Sequence, residues 1–515
     1  MYNKATFADW VPKPLMLFIM AVILLPTLSI SGVYTSNATD IAGSMAVYSE
    51  YIALANNASS IGMGLSILIV MRIKMRFRTK ELITGSAIIL SFLSFVCGTT
   101  ESPYVLVAAS FLIGFFKIFI MIELIMPIMF MIAPNGERGK FYALFYPFSI
   151  CLGQLSAYFY ATLIFNGNYQ APYQLMSILM LLVAALSIIF QHNERFSFKV
   201  PLYQIDWLSL VLLIIPSMSF NIFFTFMKQQ AWFSSPLIIA SVIIGIIFLG
   251  LTIWRQKFLR RKMFNFKIFY KKTNVLHGLV LLFLLGLYLS ATTVYLQYTV
   301  GVLGYNNLVN AEINLWMIPG VVCAGIYAFF SFKYNWNIKY YIASGFVGLF
   351  IHTLLLYLLI QPQMTIEYLQ YTMIFKGFGM GSLFIGIWFY ANSNLPPDDM
   401  FGTMSILLII RGFLGTAFGG AVIGYALYQG QWQSLNDLAV NLDNGNFEDG
   451  MSIYKNISLN SLMASGKIVL GGLCWFIVPV LLFVLTHHYG KFNYRRIVIF
   501  RKVISGSTIR GYKIS

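Results

Sequence analysis

Charged side chains are scarce in this sequence. Only 10% of its 515 residues are Asp, Glu, Lys or Arg, against 59% hydrophobic residues. That balance excludes a water-soluble domain of this length and leaves a chain whose surface meets lipid. Cysteine is scarce as well. Cys97, Cys151, Cys323 and Cys474 lie in apolar segments at no metal or redox spacing, so disulfide and zinc readings have no support. No glycine–lysine phosphate loop occurs, and no polar domain could house one, which disfavours an ATP-driven pump. No cofactor, no metal and no enzymatic reaction are expected. Acids are half as common as bases, 17 against 34, for a net charge of +17. A cleavable leader is not expected either: the first apolar run begins near Pro14, is full length, and lacks a small-residue cleavage site.

What the sequence has is long apolar runs. Fourteen membrane helices are predicted, at about 14–35, 47–70, 82–99, 104–133, 142–165, 172–191, 207–227, 234–254, 274–300, 308–331, 340–360, 367–392, 403–427 and 468–487. With the N-terminus inside, 28 of the 34 Lys and Arg fall in inner segments. Lys228, Lys455 and Lys467 fall outside, and Lys117, Lys376 and Arg411 fall within the membrane. A missed span would reverse every later loop and destroy that bias. The expectation is an all-α, multi-pass protein of the inner membrane with both termini cytoplasmic. The basic stretch RQKFLRRKMFNFKIFYKKTN, with its interleaved aromatics, is read as lying along anionic headgroups rather than nucleic acid. Residues 428–467 are expected to form one long, polar outer loop.

The fourth span, Tyr104 to Ala133, carries two charges, Lys117 and Glu123, both well inside it. A charge at mid-membrane costs about 2.5–3.5 kcal/mol on insertion scales, so such residues face a bundle interior or a watery cavity. Six residues at roughly 100° each set the two side chains about 120° apart, so each needs a partner on another helix. Pro127, one turn past Glu123, is positioned to loosen the local ladder. An inert interhelical ion pair is the plain alternative to a role in substrate or proton handling.

Other polar residues stand out against the apolar background. The second span opens with Glu50 and continues through Asn56 and Asn57, which suit cavity lining and interhelical packing equally. Tyr288, Tyr295 and Gln297 are candidates to face a pocket in the ninth span, as Gln154 is in the fifth. The thirteenth span holds Arg411, then Gly415 with Gly419 and Gly420 with Gly424 as small-residue contact faces. The seventh and eighth spans hold no ionisable residue and read as hydrophobic all round, lipid-facing and accessory. A weak internal repeat has an offset of 263 residues: Pro134 and Gly139 recur as Pro397 and Gly402, the fourth span maps onto the twelfth, and Glu50 falls within one residue of Glu312. The expected organisation is a six-helix bundle over 1–200, two inserted helices and a basic linker over 201–272, and a second six-helix bundle over 273–515.

Several stretches together resemble the major facilitator superfamily, in particular its fourteen-helix drug:proton antiporter branch. They are APNGERGK after the fourth span, IDWLSL with Asp206 and Trp207, RRKMFNFKIF, YLQYTVGVLGY followed by Pro319, KGFGMG, and LPPDDMFGTMSILLIIRGFLG, which places Arg411 on that branch's arginine. The departures are equally specific. RIKMRFRTK keeps only the basic part of the loop after the second span, Ser110 replaces an arginine, LPTLSISGVY has no acid, and Gly153-Gln154 stands for a glycine–proline pair. The resemblance implies two pseudo-symmetric bundles working by alternating access: a secondary transporter, specifically a proton-coupled exporter of amphipathic small molecules. In that role Glu123 is the leading proton carrier and Glu312 the second. Lys117, Lys376 and Arg411 hold counter-charges or an anionic substrate group. The implied partners are a small-molecule substrate, protons, the lipid bilayer and, as candidates, a periplasmic adaptor with an outer-membrane channel; nucleic acid is not among them. The alternatives are a lipid or polysaccharide-precursor flippase, and a proton-coupled importer of small solutes.

Overall fold

The apolar runs become helices whose starts are set by local chemistry. In the computed structural model, the residues described are 7–8, 10–132, 138–193, 201–230, 232–259, 262–263, 268, 272–393, 395, 397–440, 450–487 and 489. The first helices are α1 Lys13–Ser29, α2 Val33–Ser44, α3 Ser49–Arg76, α4 Thr79–Thr99, α5 Pro103–Ile132 and α6 Arg138–Asn166. Next come α7 Ala171–Phe190, α8 Trp207–Phe226, α9 Pro236–Phe258, α10 Thr273–Leu289, α11 Thr292–Leu296 and α12 Asn307–Leu315. The last are α13 Met317–Lys333, α14 Ile338–Leu359, α15 Ile366–Ala391, α16 Pro397–Ile409, α17 Gly415–Ala439 and α18 Gly450–Thr486. Glu81 accepts from the Arg78 N–H at 3.0 Å to cap α4. Asn306 caps α12 through the Val309 N–H at 2.9 Å, and Asn337 caps α14 through the Lys339 N–H at 3.1 Å.

Among the described residues, thirteen helical stretches are long and apolar enough to cross a membrane, and the shorter apolar helix Pro14–Ser29 makes a fourteenth. They match the fourteen predicted spans one to one, and the protein is an all-α, multi-pass membrane protein. Large apolar side chains such as Trp475 and Phe92 are exposed, as lipid-facing residues are. Three spans are interrupted. The first breaks at a 3-10 turn, Ile30–Gly32, and the ninth and thirteenth contain π-helical segments, Gln297–Val302 and Ile410–Leu414. Gly304, at φ +69°, lets the chain turn after the first π segment.

The expected outer loop over 428–467 is corrected. Residues up to Ala439 continue α17, and α18 begins at Gly450. Hydropathy marks where a helix leaves lipid, not where it ends, and QGQWQSLNDLA remains a good helix former. The stretches RRKMFNFKIF and APNGERGK lie largely outside the described residues, as does the basic C-terminal tail.

The chain forms two compact units: Met1–Tyr270 with Asn394–Phe413, and Lys271–Ser393 with Leu414–Ser515. Each contains a helix crossing built on glycine. In the first unit a Cβ on Gly114 of α5 would fall 1.9 Å from the Ser59 carbonyl oxygen of α3, and one on Gly62 would fall 2.2 Å from that of Phe111. In the second, a Cβ on Gly377 of α15 would fall 2.1 Å from the Met317 oxygen of α13, and one on Gly320 would fall 1.9 Å from that of Ile374. Gly377 stands 263 residues after Gly114, the repeat offset of the sequence. In both crossings each glycine meets the carbonyl three residues before its partner glycine. Without a hydrophobic effect between helices in lipid, such close backbone approach supplies the packing.

Polar contacts reinforce the first unit. Ser91 of α4 and Ser177 of α7 exchange hydrogen bonds, each hydroxyl donating to the other's carbonyl at 2.8 and 3.0 Å. In α16, Ser405 Oγ donates to Gly64 O at 2.6 Å. The seventh and eighth spans, α8 and α9, are not hydrophobic all round. Asn221 of α8 is fully buried, accepts from Asn57 Nδ2 at 3.0 Å and donates to Leu54 O at 3.0 Å. In lipid an amide satisfies its polar atoms against protein, so this contact binds α8 to α3. In the second unit, Gly415 and Gly419 of α17 press against α10, where Ser290 Oγ also donates to Thr416 O at 3.2 Å. Gly420 and Gly424 have open space where a Cβ would stand, so among the described residues no close helix contact rests on that second face.

Candidate functional site

Glu123 is 1% exposed and is the one buried acid among the described residues. Its partner is Lys74, whose Nζ lies 3.2 Å from each carboxylate oxygen, and Thr79 Oγ1 donates to it at 3.2 Å. Lys74 belongs to RIKMRFRTK, which reads as a loop in the sequence. Helix α3 instead runs on to Arg76 and carries the lysine inside the unit. The helix α5 continues through Pro127 beyond the pair.

Lys117 does not pair with an acid. Its Nζ donates to Leu28 O at 3.1 Å and to Ser31 Oγ at 2.9 Å. Both acceptors sit at the break between α1 and α2, where the 3-10 turn loosens carbonyls from the regular ladder and leaves them open to a cation. The two charges of α5 therefore find partners on other helices, and different ones.

In the second unit Lys376 of α15 is 7% exposed and has no hydrogen-bond or ion-pair partner among the described residues. His352 of α14 is near enough to feel its charge. One turn before Lys376, the Thr372 carbonyl lies 3.0 Å from His352 Nδ1; a carbonyl only accepts, so that nitrogen carries the proton. Arg411 occupies the π segment of the first unit, half-buried, its guanidinium carbon 5.8 Å from the centre of the Tyr146 ring.

The remaining sequence candidates separate. Glu312 is exposed on α12. Glu50 lies in the first turn of α3 and accepts from Ser49 Oγ at 3.2 Å, where an acid complements the helix dipole. Asn56 is exposed, while Asn57 is committed to Asn221. Gln154 is half-buried on α6. Tyr288 donates to Leu473 O at 3.1 Å, and Tyr295 to Asn310 Oδ1 at 3.4 Å. Both tyrosines are 2% exposed, so they are core residues rather than pocket lining. Gln297 opens the π segment of α11's span and does line a cavity, with Tyr298, Leu427 and Gly466. That cavity is about 10 Å³, the room of one water and not of a substrate.

Sequence reasoning missed Lys74, Asn221 and a histidine pair. His277, at the start of α10, stacks on His487 with ring centres 3.4 Å apart and meets Tyr390 edge-on. Ligand bonds lie in the ring plane, so two faces this close do not converge on one metal ion at about 2.0–2.1 Å.

No known family's sequence profile matches the chain, and no curated protein matches it. Solved structures do. The crystal structure of a point mutant of nucleoside transporter NupG aligns with a TM-score of 0.53 at 11% identity, covering 90% of this chain and 99% of that one. A point mutant of peptide transporter POT in complex with alafosfalin aligns with a TM-score of 0.56 at 12% identity, covering 93% and 97%. The POT family transporter PepTSo aligns with a TM-score of 0.52 at 13% identity, covering 90% and 98%. The chain shares the major facilitator fold of these transporters.

Proposed function

We propose that the protein is a secondary active transporter of the inner membrane, with both termini cytoplasmic, that exports amphipathic small molecules against a proton gradient by alternating access. The observation that carries this reading is the repeated glycine crossing, Gly62 with Gly114 and Gly320 with Gly377, which gives each unit the same rigid helix pair. Repeats of this kind let two bundles move as bodies around a substrate. Glu123 is the coupling carboxylate and Lys74 its counter-ion. Proton arrival neutralises the acid, releases the ammonium and biases the first unit toward its other state. Arg411, held in a π segment, is the further charged element of that unit; π segments recur where helices carry function. The drug:proton antiporter resemblance supports export. In a second reading the protein is an importer of a small solute; the structural neighbours, a nucleoside transporter and peptide transporters, support a small solute as cargo.

Purified protein in liposomes with an imposed pH gradient separates these. Flux of a panel member up its own gradient, driven by protons moving the other way, supports export. Flux in the same direction as protons supports uptake. Indifference of every flux to the gradient would remove proton coupling. Orientation is read independently: with the native cysteines replaced, Glu101→Cys is labelled by an impermeant maleimide from outside intact cells, and Asn335→Cys only after lysis. Labelling of both from one side would overturn the topology.

A further inference from the structure

The charges buried within the two units do not balance. The buried lysines are Lys74, Lys117, Lys339 and Lys376, and the buried acid is Glu123 alone among the described residues. Lys74 takes that acid. Lys339 stands in the first turn of α14 beside the Tyr340 ring, at 5.7 Å, where its stem reaches an interface. Lys117 and Lys376 remain, each deep in a long helix. Lys117 meets only the neutral oxygens of Leu28 and Ser31, and Lys376 meets no acceptor among the described residues.

The two lysines lie on corresponding helices, one helical turn apart in the repeat: Lys376 stands 259 residues after Lys117. Helices α5 and α15 are related by the 263-residue repeat, and each lysine adjoins the glycine that seats its helix. Lys117 follows Gly114 by one turn, and Lys376 immediately precedes Gly377. One buried, acid-free lysine therefore stands on the corresponding helix of each unit. A charged ammonium in such surroundings is retained where something anionic visits it. Lys376 stands near the buried His352, and Met373, about one turn earlier, belongs to the core cluster that also holds Leu369 and Met317.

We propose that the substrate is an amphipathic organic anion, a carboxylate or phosphate monoester on an apolar body, and that Lys376 of the second unit is its charge anchor. The proposal rests on the transporter reading and narrows its cargo. Lysine suits the task because its compact ammonium accepts either anion without demanding a planar, two-pronged partner. Lys117 already donates to Leu28 and Ser31, while Lys376 meets no acceptor among the described residues, so Lys376 is the lysine left for an anion.

The test uses the full chain in nanodiscs of phosphatidylcholine, with decanoate, decyl phosphate and decyltrimethylammonium as probes in calorimetric titrations. The two anions are expected to bind and the cation not to. Lys376→Met should weaken anion binding about thirtyfold or more, the loss that follows removal of one partner of a buried charge pair. Lys376→Arg should keep most of it, and Lys117→Met should lose less than Lys376→Met. Methionine removes an unpaired charge, so folding should survive; if that variant is not monodisperse, Lys376→Gln carries the comparison. Equal affinity for the cation, or unchanged anion affinity in Lys376→Met, would overturn the proposal. Adding phosphatidylglycerol distinguishes the sources: competition with decyl phosphate assigns the anion to lipid headgroups, and its absence assigns it to soluble molecules. Counterflow in liposomes separates the two layers of inference. Anion binding with no counterflow of any probe sinks the transporter reading and leaves the anion site standing. Counterflow of the cation, unaffected by Lys376→Met, keeps the transporter and sinks the anionic cargo.

Discussion

Lys74 Nζ lies 3.2 Å from both carboxylate oxygens of Glu123, and both side chains are almost wholly buried. Removing one member leaves the other charged in low dielectric without its counter-ion. Glu123→Gln should therefore destabilise the first unit by about 3–5 kcal/mol, and adding Lys74→Met should recover most of the loss. Unfolding curves in detergent for the two single variants and the double measure this. The recovered double variant then becomes the useful tool in liposomes. If the carboxylate couples protons to transport, the double exchanges substrate yet no longer concentrates it under a pH gradient. Uphill transport by the double would take the coupling role away from Glu123.

The glycine crossings give a prediction with opposite signs at sites of the same chemistry. A methyl group on Gly114 or Gly377 would collide with a carbonyl oxygen of the facing helix, at 1.9 and 2.1 Å. Backbone cannot rotate away as a side chain can. Alanine at either position should cost about 1–3 kcal/mol, typical of overpacking. Gly85 and Gly153 lie within helices with nothing in 4 Å of a Cβ. There Gly→Ala should raise stability, by up to about 1 kcal/mol from helix propensity alone. Melting temperatures of the four variants decide it, and equal losses at all four would show that the crossings do not govern packing.

Much of this architecture was legible in the residues, and the failures share a cause. Spans and their order follow from apolar runs, because lipid admits little else. Side-chain partners do not follow. Lys74 lies beyond the apolar stretch of α3 and is counted with the basic loop, yet the helix continues past it and buries it beside Glu123. Lys117 finds a backbone carbonyl and a serine at a helix break, and no charge pattern announces such a site. Tyr288 and Tyr295 look like pocket residues because they are polar at one end, but a single carbonyl or amide across the core satisfies each. A lone Asn221 in an apolar run is easily passed over, although in lipid an isolated amide signals a partner.

Asn221 makes that partner testable. Asn221→Leu would leave the half-buried Asn57 amide without its acceptor, at a cost of about 1–3 kcal/mol. Leucine at both 57 and 221 should restore much of the stability, since two apolar groups replace two polar ones. Limited proteolysis at the exposed 228–230 turn offers a second readout. Faster cleavage in Asn221→Leu, reversed in the double variant, would show that the amide pair docks α8 onto α3. Unchanged cleavage and unchanged melting would make the contact incidental.

Asp206 supplies the pH dependence. It stands just before α8, accepts from the Ser209 N–H at 3.2 Å and from Ser209 Oγ, and pairs with Arg255 Nη2 at 2.9 Å. Burial pushes its carboxyl upward, but the Arg255 and Ser209 hydrogen bonds outweigh that and hold it below the ordinary aspartate value. A carboxylate whose folded pKa is depressed adds stability that is present above its unfolded pKa, about 3.9, and is lost as pH falls through the lower folded value. The wild-type protein should therefore melt higher than Asp206→Asn at neutral pH, and by a constant margin down to about pH 5. Below about pH 4 the margin should shrink as both forms come to carry a neutral cap. Arg255→Met should narrow the margin at neutral pH without abolishing it, because the Ser209 contacts remain. Melting curves of the three proteins across that range test each step. A margin that grows on acidification would reverse the sign of the linkage and show that the pair does not hold the Asp206 carboxyl down.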